Sequence, residues 1–412
     1  MRILTWNING LTSALNYYPW SKKKSHKEMF ATMKADIICL QEIKCQPTKL
    51  TQDVALVPGY DAYFSFSKTK PGYSGVAVYV KQPLVPLQAE EGITGILNEP
   101  KTINPCFKSN NKPTSSSSIT TNDCNDNDGG EGYFFDGLMN SPDQLDSEGR
   151  CLILDFGLFV LLNIYFPNEA QGDRGYYKAD YHACVRRRID DMLTNGRQVI
   201  LVGDLNAIHE PLDHFKSTHG WPVVGDTVFQ ASVYRHWLNE IIYPKGPLID
   251  TCRNFHPQRK GMFTFWKSVT NERPRNFGVR LDYILVSEGL GSWLKAADIL
   301  PELFGSDHCP VYIDLYDIVE SSVQGTKCLM DLLSTEQSKN KNKNKGKGNM
   351  TTASVNISIK NKYKSANESR YSNLLAKNFA QFSGSQKRLD QYFSTVVCPK
   401  NTKKSTDQKI DQ

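Results

Sequence analysis

The sequence predicts a mixed α/β fold, because short apolar strands and longer helical stretches are interspersed along the first 316 of its 412 residues. Runs of about five to eight residues rich in Val, Ile and Leu have the length and composition of buried strands. Three longer stretches, at 23–34, 177–194 and 230–242, fit helices instead. Several strands end in polar residues that an apolar core cannot accommodate without partners, which indicates that they lead into a functional site.

The strands form two groups on either side of a polar segment. They are predicted at residues 2–6, 36–40, 60–66, 75–80, 151–156, 159–166, 198–203, 262–266, 281–286 and 310–315. The segment at 104–132 contains four consecutive serines, Ser115 to Ser118, and has no hydrophobic period. We expect it to be a disordered surface insertion, since a long loop costs little more closure entropy than a short one.

Polar residues follow or interrupt five of the strands. In chain order they are Asn7 and Asn9, Gln41 and Glu42, Asp204 and Asn206, Asp282, and Asp307 with His308. Each acid alone could be a cap or a turn residue. Together, carboxylates, amides and one histidine at strand ends suit metal-assisted attack of water on a phosphate, because hard oxygen ligands hold Mg²⁺.

The sequence around these residues narrows the possibilities to one family. The segments are Trp6–Asn9, Gln41–Lys44, Gly72–Gly75, Glu90–Thr94, Leu145–Arg150, Gly203–Asn206, Arg280–Tyr283, Ala296–Pro301 and Ser306–Pro310. In this order they resemble the endonuclease/exonuclease/phosphatase superfamily. Within it they resemble the exonuclease III-like class II apurinic/apyrimidinic endonucleases of the second, fungal and animal branch. The resemblance covers roughly residues 1–316.

The resemblance implies a fold and an activity. The fold is a four-layer sandwich of two packed mixed β-sheets flanked by helices, formed by residues 1–316 and followed by a basic, disordered tail at 317–412. The activity is that of a DNA repair nuclease, which hydrolyses phosphodiester bonds 5′ to abasic sites and removes blocked or mismatched 3′ ends. The substrate would be double-stranded DNA. We expect the protein to be a monomer. We also expect it to lie outside membranes, since no apolar run approaches the length of a membrane helix.

A metal site follows from the same resemblance. Glu42 and Asp307 would bind Mg²⁺ or Mn²⁺, with Asn9, Asp204 and Asn206 contributing to the same ligand shell. Asn9 is a departure, because the better-known branch of the family has an Asp there. The amide removes one negative charge from the shell, so a weaker metal site or a preference for Mn²⁺ is a hypothesis.

Catalytic roles also come with the resemblance. Asp204 would activate the attacking water, and Asn206 would hold that water or the phosphate. Asp282 would fix the tautomer of His308 and favour its charged form, so that the imidazole contacts the phosphate. Tyr165 would donate a hydrogen bond to the phosphate, although a strand tyrosine with its hydroxyl in solvent is the alternative.

A further set of residues would contact phosphates or the sugar. It comprises Asn7, Lys44, Asn168, Arg174, Phe265 and Leu281. Phe265 and Leu281 would line the pocket for a flipped-out sugar that lacks its base. Val279 stands where the better-known branch has a Trp, which loosens one wall of that pocket and favours 3′-end processing over incision at abasic sites.

Charge separates the tail from the rest of the chain. Residues 321–412 contain 17 Lys and Arg against six acids, a net charge of +11, while the first 320 residues carry −5. Such a basic segment, poor in large apolar residues, is expected to be disordered. Its lysine run at 339–347 would be a DNA-backbone contact, a nuclear address or a solvated linker. We expect a nuclear protein, and the ten cysteines, without CxxC pairs, fit reduced thiols.

The tail carries one sharp motif, formed by Gln386, Leu389, Tyr392 and Phe393. It resembles the motif that binds the sliding clamp PCNA, in which a turn of 3₁₀ helix brings the apolar side chains to one side. PCNA is therefore the expected partner. Many members of the second branch also have a Cys/His zinc module of the GRF type. These 412 residues do not contain one, so we do not assume binding of single strands or 3′ overhangs by such a module.

Two other functions stay open at this point. Phosphatases and poly(A) deadenylases of the same fold use similar Glu, Asp and His residues. They do not, however, combine motifs like Gln41–Lys44 and Arg280–Tyr283 with a clamp-binding motif. A catalytically weak, PCNA-bound repair scaffold is the alternative from a different class. The intact residues Glu42, Asp204, Asn206, Asp282 and His308 argue against a scaffold, although Asn9 keeps this alternative open.

Overall fold

The structure is a computed structural model that describes residues 1–95, 136–168, 174–220, 233–321, 325–334 and 373–382. Two six-stranded sheets dominate it, and each contains one parallel strand pair at its centre. The predicted insertion at 104–132 and the motif at 386–393 lie outside the described residues.

Sheet one contains the first four strands and two late ones. These are β1 (Arg2–Asn7), β2 (Ile37–Gln41), β3 (Tyr60–Ser65), β4 (Val76–Lys81), β13 (Leu294–Ile299) and β14 (Val311–Leu315), in the order β13-β14-β1-β2-β4-β3. The pair β1–β2 is parallel, and its neighbours are antiparallel. The carboxyl ends of β1 and β2 therefore lie side by side.

Sheet two repeats this plan. Its strands are β5 (Gln88–Glu91), β6 (Cys151–Asp155), β7 (Val160–Tyr165), β8 (Val199–Asp204), β9 (Leu248–Asp250) and β12 (Asp282–Ser287), in the order β5-β6-β7-β8-β12-β9. Here β7–β8 is the parallel pair. Two short antiparallel pairs accompany the sheets: β10 (Phe265–Trp266) with β11 (Gly278–Val279), and β15 (Ile318–Ser321) with β16 (Gly325–Cys328).

Helices connect the strands. The α-helices are α1 (His26–Met33), α2 (Gln52–Ala55), α3 (Pro142–Asp146), α4 (Arg174–Thr194), α5 (Phe215–Thr218), α6 (Val233–Ile241) and α7 (Thr251–Phe255). Short 3₁₀ helices lie at Ser13–Asn16, Trp20–Lys22, Pro47–Lys49, Pro211–Asp213, Arg273–Arg275, Glu288–Trp293 and Ala376–Asn378. Within the described ranges, no helix combines the length and apolar content needed to cross a membrane.

The alternation of side chains along each strand builds three apolar layers. Cys39 and Val78 of sheet one face Leu154 and Val202 of sheet two, and all four are inaccessible to solvent. The opposite strand faces pack against helices: sheet one against α1, and sheet two against α4 and α6. Burying both faces of a sheet explains the near-continuous apolar runs in the sequence. The predicted four-layer sandwich is confirmed.

The structure contains strands that the sequence did not predict. Two of them, β5 and β9, are the edge strands of sheet two. The first is largely polar, and the second has only three residues. Edge strands pair on one side and need no apolar run, so they leave a weak pattern. β13 is half exposed and was also missed, although its segment was noted as a family motif. The strand predicted at 262–266 is reduced to Phe265–Trp266.

Two segments beyond residue 316 are ordered, which differs from the expected tail. Residues 318–321 and 325–334 pack on the core through Leu329, Leu332 and Leu333, each 1% exposed. Residues 373–382 lie along the edge of sheet one, where Leu375 bridges to Tyr63 of β3. A few apolar residues in a polar segment dock locally, which overall composition does not reveal.

Candidate active site

The two parallel strand pairs end at one place. β1 ends in Asn7 beside Gln41 of β2, and Glu42 follows at once. β7 ends in Tyr165 beside Asp204 of β8. Because ligands of α/β sheets bind outside the carboxyl ends of parallel strands, the polar residues that follow these strands are presented to a common cleft.

Asn7 connects the two sheets. Its side-chain nitrogen donates to Glu42 Oε1 and to Asp204 Oδ2, each at 2.9 Å, and the residue is inaccessible to solvent. A neutral amide thus holds two carboxylates in place without placing a full charge between them. The sequence predicted Asn7 among the residues that contact phosphates or the sugar, and in this structure its side chain is bonded to both acids.

Sharp turns after the strands bring further side chains into the site. Asn9, Glu42, Lys44 and Asn206 all have φ between 46° and 49°, in the left-handed region that residues other than glycine rarely adopt. Such positions concentrate at functional sites, where the surrounding structure holds them. Here they turn the chain back, so that consecutive side chains face the cleft.

His308 lies between two buried carboxylates. Its Nδ1 is 2.8 Å from Asp282 Oδ2, and its Nε2 is 3.9 Å from Asp204 Oδ2. Burial disfavours the charged imidazole, but the carboxylates of Asp282 and Asp204 outweigh it and raise the pKa of His308 to about 10. Burial also raises the pKa of Asp204, to about 7, although the charge of His308 opposes this shift. The site therefore contains an imidazolium and a carboxylate of unusual basicity.

The same three residues have the composition of a metal site. Ligand atoms of Asp204, Asp282 and His308 lie within 4.8 Å of one another. In this structure the imidazole of His308 is paired with the carboxylate of Asp282 at 2.8 Å. We call these three residues the ion-pair network.

The predicted metal ligands lie at the mouth of the cleft. Lys44 Nζ donates to Asn9 Oδ1 and lies 2.8 Å from Glu42 Oε2. Asn9 in turn donates to Asp307 Oδ1 at 2.9 Å. Oxygens of Asn9 and Glu42 thus converge on one positive charge, and Asp307 is adjacent. Burial works against ionisation of Glu42, but hydrogen bonds from Asn7 and Lys44 hold its pKa below the usual value. These hard oxygen ligands fit a divalent cation.

Tyr165 is held as a hydrogen-bond donor. Its hydroxyl bonds to the carboxylate of Glu42, and burial together with the charge of Glu42 raises its pKa well above the usual value. Arg150, 2% exposed, donates to the Tyr165 carbonyl at 3.1 Å and to the Tyr73 hydroxyl at 3.0 Å. Its guanidinium lies 4.5 Å from the centroid of the Tyr165 ring. The phenol therefore stays protonated and oriented.

The cleft has a volume of ≈ 540 Å³ and both polar and apolar walls. It is lined by Asn9, Glu42, Lys44, Tyr165, Asn168, Asp204, Asn206, Ala207, Ile208, Tyr234, Arg235, Phe265, Leu281, Asp307 and His308. Phe265 packs its ring 4.8 Å from the imidazole of His308 and bridges to it through the backbone. An apolar surface thus adjoins the ion-pair network.

A family model described as the Endonuclease/Exonuclease/phosphatase family matches residues 4–308. The match includes every strand that brings a side chain to the cleft. The chain belongs to this family.

Curated relatives of the family agree with the branch expected from the sequence. The chain is 39% identical over 326 residues to "DNA-(apurinic or apyrimidinic site) endonuclease 2" of Schizosaccharomyces pombe, covering 78% of this chain and 59% of that protein. The Homo sapiens protein of the same name is 32% identical over 337 residues, covering 76% and 59%. The chain therefore spans about 59% of the length of these relatives.

Solved structures of the family share the fold. The Xenopus laevis APE2 catalytic domain superposes with a TM-score of 0.60 at 33% identity, covering 76% of this chain and 91% of that chain. The AP endonuclease LMAP of Leishmania major has a TM-score of 0.54 at 25% identity, covering 76% and 86%.

Not every predicted residue of this family member lies in the cleft. Arg174 is paired with Glu148 in a network with Arg150 and Tyr73, and it is not among the lining residues. Val279 pairs with Phe265 through the backbone and does not line the cleft either. Lys44 was predicted among the phosphate contacts. In the structure its ammonium lies beside two of the predicted metal ligands, Glu42 and Asn9.

Sequence reasoning missed four residues that shape the site. Arg150 was quoted within a family motif without a role. Lys178 donates to the Asn206 carbonyl at 2.9 Å, and Tyr234 and Arg235 line the cleft. Lys178, Tyr234 and Arg235 lie on predicted helices. Such residues are common on helix surfaces, and no neighbouring motif distinguishes these three in the sequence.

Proposed function

We propose that this chain is a DNA repair nuclease that hydrolyses phosphodiester bonds 5′ to abasic sites and removes blocked or mismatched 3′ ends. The observation that carries the proposal is the buried chain of contacts from Glu42 through Asn7 and Asp204 to His308 and Asp282. It joins an oxygen-ligand site to a basic carboxylate and a charged imidazole across both sheets. The name shared by the relatives of lower and higher eukaryotes supports abasic DNA as the substrate.

Asp204 is the group that would accept a proton from the attacking water. Its Oδ2 accepts from Asn7, and its Oδ1 accepts from the backbone N–H of Asn206 at 2.9 Å. A carboxylate with a raised pKa is a better proton acceptor near neutral pH than an ordinary one. The side-chain nitrogen of Asn206 donates to the Phe166 carbonyl at 2.9 Å, which holds this side chain at the cleft, where its amide oxygen would contact the attacking water.

Donors around the cleft would hold the phosphate. The imidazolium of His308 and the hydroxyl of Tyr165 supply hydrogen bonds and charge, and Asn168 lines the cleft nearby. When bound at Glu42, Asn9 and Asp307, a divalent cation, Mg²⁺ or Mn²⁺, would offset the charge on the phosphate and the leaving 3′ oxygen. Preorganised donors of this kind stabilise charge that develops in the transition state.

The apolar wall supports the choice of substrate. Phe265 and Leu281 adjoin the ion-pair network, where a deoxyribose next to the cleaved bond would lie. A sugar that lacks its base leaves the stack at little energetic cost, which favours abasic and frayed ends over intact duplex.

A sliding-clamp partner and a nuclear location extend the proposal. Gln386, Leu389, Tyr392 and Phe393 match the PCNA-binding pattern. A clamp pull-down with the full chain, and with Tyr392→Ala and Phe393→Ala together, tests it. Equal capture of both forms would refute the motif's role.

The function itself is tested by cleavage of two duplexes in Mg²⁺ and in Mn²⁺, one with an internal abasic analogue and one with a recessed, mismatched 3′ end. Incision 5′ to the analogue, or shortening of the 3′ end, would support the proposal. Glu42→Ala should abolish both, and Asp36→Asn, at the amino end of β2, is the matched control. No cleavage of either duplex in either metal would favour the repair scaffold.

A further inference from the structure

We propose that residues 373–382, which we call the docked segment, hold the loop at 42–50 in the shape that brings Lys44 to the cleft. Gln381 is the positioning residue, and it acts through the part of the loop that follows Lys44. This inference rests on the proposed function. It makes a short piece of the basic tail a working part of the catalytic body.

The docked segment is anchored on β3, the edge strand of sheet one. Leu375 pairs with Tyr63 through a backbone bridge, and Lys377 Nζ lies 3.1 Å from Asp61 Oδ1. Leu375 is 6% exposed, and Ala376 is inaccessible to solvent. Removing apolar side chains from water stabilises such an attachment. The segment therefore has a fixed place from which it can support a neighbouring loop.

Gln381 supports that loop directly. Its Nε2 donates to the Pro47 carbonyl at 2.9 Å and to the Leu50 carbonyl at 3.1 Å. One carbonyl belongs to the first residue of the 3₁₀ helix Pro47–Lys49, and the other belongs to the residue just after its end. A 3₁₀ helix of three residues has weak internal hydrogen bonds, and carbonyls at a helix end need partners from outside. One side-chain amide thus holds the two ends of this helix together.

Lys44 lies between two supports. Its backbone N–H donates to the Ser74 carbonyl at 2.9 Å, which fixes it to the catalytic body. Only Cys45 and Gln46 separate it from the 3₁₀ helix that the docked segment holds. Its φ of 48° lies in the left-handed region, which persists only where the surroundings impose it. Loosening the helix would therefore loosen the ammonium that lies 2.8 Å from Glu42 Oε2.

Aromatic packing reinforces the docking at a second point. The ring of Phe379 lies 6.2 Å from that of Phe64 and 6.4 Å from that of Phe66. The backbone of Phe66 in turn lies against Gly149, where an added Cβ would be 2.3 Å from the Phe66 carbonyl carbon. So close an approach requires glycine. Gly149 directly precedes the buried Arg150 described above, so the docked segment packs on a second element that leads to the cleft.

Hydrogen exchange of the metal-free, full-length protein tests whether the docked segment holds the loop. Gln381→Glu keeps the shape of the side chain but turns an oxygen toward the two carbonyls in place of the donor. The peptide covering residues 45–50 should then exchange about three- to tenfold faster, because the helix opens more often. Gln88→Glu, the same change at an exposed residue of β5 in sheet two, is the matched control and should leave this rate unchanged.

Two further variants separate the lost support from the added charge. Gln381→Ala removes the donor without adding a charge. Phe379→Ala weakens the docking without altering any group that touches the loop at 42–50. Both should speed exchange of the 45–50 peptide in the same direction as Gln381→Glu, since all three release the same helix.

Cleavage of the internal abasic duplex tests whether the loop acts on the site through Lys44. Gln381→Ala should lower kcat/KM about three- to tenfold. In a Lys44→Met background the same change should have almost no further effect, because a positioning residue loses its influence once the side chain it positions is absent.

The combined results decide the inference. Faster exchange, together with a fall in kcat/KM that disappears in the Lys44→Met background, supports it. Unchanged exchange, unchanged kcat/KM, or an equal fall with and without Lys44 overturns it. If the wild-type protein cleaves neither test duplex, the proposed function fails, whereas the exchange rates still show whether the docked segment holds the loop.

Discussion

Glu42 and Asp204 lie at corresponding ends of the two sheets, yet their pKa values shift in opposite directions. Glu42 directly follows the second strand of one parallel pair, and Asp204 is the last residue of the second strand of the other. Glu42 is 17% exposed at its side chain, and hydrogen bonds from Asn7 and Lys44 lower its pKa in spite of partial burial. Asp204 is 2% exposed, and burial raises its pKa to about 7 against the pull of His308. Repeating one strand plan thus yields a carboxylate with a lowered pKa in one sheet and a carboxylate with a raised pKa in the other, which suits the metal-ligand and proton-acceptor roles proposed for them.

The largest expected effect comes from removing the basic carboxylate. Asp204→Asn keeps the shape and most hydrogen bonds but cannot take a proton, so kcat should fall about a thousandfold. Single-turnover cleavage of the internal abasic duplex measures this, and circular dichroism checks the fold. A fall below about tenfold would move the proton acceptor to another residue.

The next variant tests whether Glu42 acts through the metal alone. Glu42→Gln removes a charged ligand, so the Mg²⁺ concentration at half-maximal rate should rise about 10- to 100-fold. High Mg²⁺ should restore much of the rate, whereas Asp204→Asn should stay inactive at any concentration. If Glu42→Gln and Asp204→Asn respond alike to metal, the two carboxylates do not differ in role as proposed.

Cutting the link between the sheets should affect both sides moderately. Asn7→Ala leaves Glu42 Oε1 and Asp204 Oδ2 without their shared donor, which should lower stability by about 1–3 kcal/mol. Urea unfolding of the variant, with Asp36→Asn as a control for a remote polar change, provides the measurement. A midpoint equal to wild type would mean that water replaces the amide without cost.

The smallest expected change is at Asn9. Asn9→Asp adds a negative charge beside Glu42 and Asp307 and replaces the amide that donates to Asp307 with a carboxylate. The Mg²⁺ concentration at half-maximal rate should therefore fall by a few-fold, which corresponds to about one kcal/mol or less of binding free energy. Metal titrations of both forms in Mg²⁺ and Mn²⁺ decide the matter. Superimposable curves would refute the hypothesis that Asn9 weakens the site.

Sequence reasoning located the strand ends but not the contacts between them. A buried run that stops at Asp204 or Glu42 is visible locally, because burial and polarity alternate along the chain. That Asn7 bonds to both acids depends on how the sheets face each other, 35 and 197 residues apart in sequence. The places of Arg235 and Lys178 at the site could not be predicted for the same reason. A cation on a helix looks like any surface residue in the sequence until the structure shows what it contacts.

The segment at 373–382 changes how the chain end is tethered. Leu375 bridges to β3, and Lys377 Nζ lies 3.1 Å from Asp61 Oδ1. The chain is therefore anchored at the edge of sheet one by a segment that begins at residue 373, 39 residues after residue 334. Gln386 follows Phe382 by four residues, which span at most about 14 Å. A clamp bound at that motif would therefore be held within about this distance of the segment at 373–382, which is itself anchored to the edge of sheet one.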